Sequence, residues 1–113
     1  MPNRSAAVYA PPAAVADTLF RLGRRIRVAR LRRNLRIEDL AARVGVSRFT
    51  IAAIEGGKPG VSAAATFGAL WALGLDEAAK ELADPDRDEE GKALESVRGP
   101  RRARRRAALN NDF

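Results

Sequence analysis

Residues 37–62 read IEDLAARVGVSRFTIAAIEGGKPGVS, and their punctuation decides the fold. Two short segments, Ile37 to Val44 and Arg48 to Glu55, are separated by Gly45-Val46-Ser47. Leu40, Ala41 and Val44 recur at the three- and four-residue spacing that puts side chains on one face of a helix. Gly45 tolerates the left-handed backbone that a tight turn needs. Ser47 is placed to cap the second segment by accepting a hydrogen bond from a free backbone N–H. The run Gly56-Gly57-Lys58-Pro59-Gly60 then ends it.

Working outward, Leu19, Leu22, Ile26 and Ala29 lie at helical spacing between about Val15 and Arg33, with arginines filling much of the rest. Asn34 suits a left-handed C-terminal position. Residues 1–14 carry Pro11-Pro12 and no periodicity, which predicts a mobile arm. Beyond the central stretch, Ser62 is expected to cap a fourth helix to Leu73, whose Phe67, Leu70, Trp71 and Leu73 would floor the core before Gly74 stops it. A fifth helix is expected over Asp76 to Leu82, and a sixth from about Arg87 to Val97, capped by Asp86 after Asp84-Pro85. The tail after Gly99-Pro100 is too charged to pack alone. The pattern predicts an all-α fold, a five- to six-helix bundle with flexible tails. Its divisions are an arm (1–14), a DNA-binding domain (15–83), an acidic helical extension (84–97) and a basic disordered tail (98–113). Two short helices joined by a glycine-containing turn, rich in arginine, have the form of a helix-turn-helix.

Charge follows this organisation. The chain carries a formal net charge of +7 over 113 residues, but residues 21–60 hold +8, residues 61–75 none, residues 76–97 −6 and residues 98–113 +5. A basic block followed by neutral and acidic ones points to a polyanion-facing domain with separate partner-facing segments. Having no cysteine and no histidine, the chain offers no disulfide, no thiolate metal site and no imidazole base. A non-enzymatic protein without metal or cofactor is expected. No apolar run reaches membrane-spanning length and no signal-peptide pattern opens the chain, so a cytoplasmic location is expected, on the nucleoid when DNA is bound.

The stretch from residue 37 to residue 62 resembles the phage-repressor and XRE family, and the likeness extends over roughly Leu22 to Leu75. It implies a repressor that binds double-stranded operator DNA as a homodimer. The family's base-reading positions fall on Arg48, Phe49 and Ala53. Arg48 suits guanine O6 and N7, whereas Phe49 and Ala53 suit only a thymine methyl. Phosphate-binding positions fall on Ser47, Thr50 and Lys58, and Arg36 and Arg43 are near enough in sequence to add charge. Arg30 and Glu55 match a partly buried structural ion pair. One departure is Ile37, where the family often has a glutamine that buttresses the recognition helix. Val28 and Leu31 lie off the core stripe of their helix, as surface residues or as contacts to the arm or another subunit.

Asp84, Asp86, Asp88 and Glu95 occupy the first, third, fifth and twelfth positions of a calcium loop. The sixth position, however, holds Glu89 in place of the required glycine. Acidic residues favouring a helix N-terminus explain them better. Residues 70–95 and the arginine-rich tail ending in Phe113 resemble, more loosely, HipB-like antitoxins encoded beside HipA-like kinase toxins. That likeness implies a kinase toxin as partner, with Phe113 as a terminal anchor. A stand-alone regulator and a basic RNA-binding or assembly protein are the alternatives. The last lacks aromatic stacking platforms if the few aromatics sit in the core or arm.

Overall fold

Helices form where apolar spacing and capping chemistry coincide. The computed structural model describes residues 5–99. It contains α1 (Ala6–Tyr9), α2 (Ala13–Arg32), α3 (Ile37–Val44), α4 (Arg48–Glu55), α5 (Ala63–Ala72), α6 (Asp76–Lys80), a 3-10 turn (Pro85–Arg87) and α7 (Glu89–Arg98). Among the described residues there is no strand, and the chain is all-α as its patterning predicts. Asn34 ends α2 with φ +55, and Gly45 and Gly74 turn the chain after α3 and α5 at φ +83 and +75. Ser47 Oγ accepts from Thr50 N at 3.3 Å, and Ser62 Oγ accepts from Ala65 N at 3.1 Å.

Some boundaries differ from expectation. The long helix starts at Ala13 behind Pro12, and one helical turn, α1, stands in the stretch expected to be unstructured. Alanine drives helix formation without registering as amphipathic periodicity. Asp88 rather than Asp86 caps the last helix, its Oδ1 accepting from Gly91 N at 2.9 Å. Asp84 instead caps the 3-10 turn through Asp86 N at 3.0 Å.

The described chain divides into two compact units, one ending at Lys80 and one beginning at Glu81. In the first, Ile26, Leu40 and Ile51 are fully buried, joined by Ile54, Leu73 and the small Ala29, Ala41, Ala65 and Ala69. α4 sits between α2 and α3, and α5 packs across α3 and α4. Of the four residues expected to floor the core, Leu73 is buried and Leu70 packs against the buried cluster, and the expectation is corrected for the two aromatics. Ala65, Ala69 and Leu73 form the floor, whereas Phe67 and Trp71 remain 44% and 61% exposed. Small side chains let α5 approach closely, and the bulky ones at Phe67 and Trp71, one turn apart, are left outside. The second unit contains the 3-10 turn and α7, on which Leu94 and Val97 are exposed. The predicted tail anchor Phe113 lies outside the described residues.

Candidate nucleic-acid interface

What holds α4 in place is a close approach to α2 and a buried ion pair. At Gly23 of α2, a Cβ would overlap the carbonyl oxygen of Ile54 and come within 2.7 Å of that of Glu55. Only glycine permits this crossing, a role that α2's apolar periodicity does not reveal. Beside it, Arg30 and Glu55 are 6% and 8% exposed. Arg30 Nε donates to Glu55 Oε2 at 2.7 Å and Arg30 Nη2 donates to Oε1 at 3.0 Å. The third donor, Nη1, reaches the carbonyl of Leu35 at 2.9 Å, so one guanidinium ties α2, the α2–α3 connection and the end of α4 together. Such fork-on-carboxylate geometry fixes orientation as well as proximity.

The loop after α4 is held by the same means. Gly57 takes φ +72, and a Cβ there would stand 2.8 Å from the Cα of Phe20. Lys58 N donates to the carbonyl of Ala53 at 3.0 Å. The exposed Lys58 side chain is thus presented from a backbone fixed on both sides.

The front of α4 faces solvent. Arg48 and Phe49 are exposed, and the Arg48 guanidinium carbon lies 5.1 Å from the centre of the Phe49 ring, within cation–π reach. Thr50 is half-buried, with its hydroxyl 3.3 Å from Ser47 Oγ. Ala53 is half-buried in an open groove that Phe49 and Thr50 share with Val46, Val61, Ser62 and Ala65. Ser47, Arg48, Phe49 and Thr50 therefore stand at the N-terminal end of α4, with Ala53 one turn further along in the groove beside Phe49 and Thr50.

Arg36, at the N-cap of α3, and Arg43, in its last turn, stand apart from this cluster in character. Arg43 is exposed. Arg36, also exposed, is engaged by Asp39, which accepts from Arg36 N at 2.9 Å and pairs with its guanidinium at 3.4 Å. The backbone N–H of Arg36 first, and its guanidinium second, hold the Asp39 carboxyl below the usual aspartate range. Ile37 packs against the hydrophobic core, so this position itself offers α4 no polar brace. Val28 and Leu31 are exposed.

The expectation that the aromatics sit in the core or the arm is corrected: Tyr9 stands in the arm, but Phe20, Phe49, Phe67 and Trp71 lie outside it and are exposed. These five lie on α1, α2, α4 and α5 of the first unit.

Among the described residues no helix is long and apolar enough to cross a membrane. No curated protein and no solved structure matches the chain. The family model described as helix-turn-helix domain matches residues 21–83, more than half of the sequence, from within α2 to just past α6, with the Arg30–Glu55 pair and the exposed end of α4 inside it. The chain belongs to the helix-turn-helix domain family.

Proposed function

We propose that this protein is a sequence-specific repressor that binds duplex operator DNA as a homodimer. The observation that carries this reading is the front of α4. A rigidly braced helix presents Arg48 and Phe49 to solvent at the end where Ser47 and Thr50 stand, and Lys58 is exposed in the loop after its other end. Arg43, exposed on α3, adds positive potential, whereas the charge of Arg36 is offset by Asp39. The function is binding rather than catalysis, and its place is on the nucleoid in the cytoplasm.

One short helix reads too few base pairs for genomic specificity, and helix-turn-helix dimers place half-sites about 34 to 36 Å apart. The exposed Phe67 and Trp71 on α5, in a stretch without charge, supply the apolar surface for a two-fold contact. Selection of bound fragments from random duplex DNA by the purified full chain tests the reading. Enrichment of a pseudo-palindrome is expected, with sedimentation of a dimer that Trp71→Glu converts to monomer. A pool that stays random, or a monomer protecting a single half-site, refutes it.

A finer reading makes the protein the antitoxin of a kinase toxin encoded beside it, binding the toxin through the tail and its Phe113. Its support is the resemblance of residues 70–95 and of the tail. Deleting residues 110–113 is expected to weaken toxin binding and leave operator affinity unchanged. Equal toxin affinity with and without those residues removes Phe113 from the mechanism.

A further inference from the structure

We propose that Arg48 and Phe49 read as one unit the 5-methyl group of a pyrimidine lying 5′ of a guanine, so that the protein discriminates thymine or 5-methylcytosine from plain cytosine at that step. This rests on the DNA-binding reading and names the chemistry that its base-reading face selects.

Phe49 is 71% exposed at the front of α4, an apolar surface that binding would cover. Neighbouring residues on a helix diverge by about 100°, so the 5.1 Å approach of the Arg48 guanidinium to the ring requires its stem to fold across Phe49. In the proposed reading the ring lies against one face of the guanidinium, which leaves the other face and the hydrogen-bonding edge of the exposed Arg48 to the DNA.

That edge is a planar fork matching guanine O6 and N7 in the plane of the base. With the fork so engaged, its open face lies parallel to the next base pair, about 3.4 Å along the strand. Right-handed stacking brings the 5-carbon of the preceding pyrimidine over the N7 edge of the guanine. A methyl there fills the open face, and a bare C–H leaves it to water. The neighbouring groups offer little competition. Ala52 and Ala53 have no polar side chain, and the Thr50 hydroxyl is within hydrogen-bond distance of Ser47.

The test uses the full chain and the duplex enriched in the selection above. At each pyrimidine–guanine step, thymine is replaced by uracil, which removes only the methyl, and cytosine by 5-methylcytosine, which adds only the methyl. At one step per half-site, uracil is expected to raise Kd about fourfold, the worth of one covered methyl. At that same step 5-methylcytosine is expected to bind as thymine does. The effect should shrink in Phe49→Ala and vanish in Arg48→Lys, which keeps the charge but loses the fork. Both side chains are exposed, and matching thermal melts confirm that the variants fold. Equal affinity for thymine and uracil at every step of a selectively bound duplex overturns the proposal and leaves the repressor reading intact. A methyl effect that persists in both variants overturns it as well. Absence of selective binding overturns both readings.

Discussion

Gly23→Ala sets two opposing effects against each other. In a helix interior alanine is favoured over glycine by about 1 kcal/mol, so local propensity alone forecasts a gain. The tertiary structure forecasts the opposite. The added Cβ would lie 2.7 Å from the carbonyl oxygen of Glu55 and 2.9 Å from its carbon, both backbone atoms that cannot rotate away. Relief requires α4 to retreat from α2, and overpacking of this kind costs about 1–3 kcal/mol. The retreat also stretches the Arg30–Glu55 bonds of 2.7 and 3.0 Å, and losing one half of a buried pair costs about 3–5 kcal/mol. Taking part of that loss and subtracting the propensity gain leaves a net destabilisation of about 2–4 kcal/mol. At about 4–8 °C per kcal/mol for a unit of this size, Tm should fall by at least 8 °C. Thermal and urea melts of the full chain measure it, with Gly56→Ala as the control. At Gly56 the nearest atom to a new Cβ is the carbonyl oxygen of Ala52, at 3.3 Å, and φ is −82, so a shift of a few tenths of an ångström suffices and a much smaller change than at Gly23 is expected. A Gly23→Ala protein as stable as wild type or more so refutes the argument that this crossing excludes a side chain.

Glu55→Ala, which leaves Arg30 buried and unpaired, should cost about 3–5 kcal/mol in the same melts. The double variant Arg30→Met/Glu55→Leu should recover most of it, and a single variant costing under about 1 kcal/mol denies the pair its bracing role. Because the Asp39 pKa is lowered in the folded state, its stabilisation is present above the ordinary aspartate value and is lost as pH falls through the lowered one. The stability difference between wild type and Asp39→Asn should therefore hold steady above about pH 5 and close below about pH 4. A gap that persists to pH 2 contradicts this assignment. In DNA titrations, Arg48→Ala should weaken the preferred duplex by about 1–3 kcal/mol and relax one base pair. Lys58→Ala should weaken preferred and scrambled duplexes alike and reduce the salt slope by about one; unchanged base preference in Arg48→Ala places α4 in a different register.

The sequence by itself determined the elements and their limits wherever local chemistry decides. Ser47 and Ser62 cap, Gly45 and Gly74 turn, and α3 and α4 begin and end at the residues their spacing indicates. Capping and turn preferences act within a few residues, so they can be read without knowing what packs against what. Only the tertiary structure decided which apolar residues are inside. Phe67 and Trp71 look more hydrophobic than Ala65 and Ala69, yet the alanines are buried and the aromatics exposed, because burial depends on which face of α5 packs against α3 and α4 rather than on side-chain character alone. Gly23 belongs to the same class, an unremarked residue of a helical pattern that becomes the point of closest approach between α2 and α4. The front of α4 was legible as a set of residues, but the stacking of Arg48 on Phe49 and the engagement of Arg36 by Asp39 arise from side-chain directions in space, which spacing along a chain does not specify.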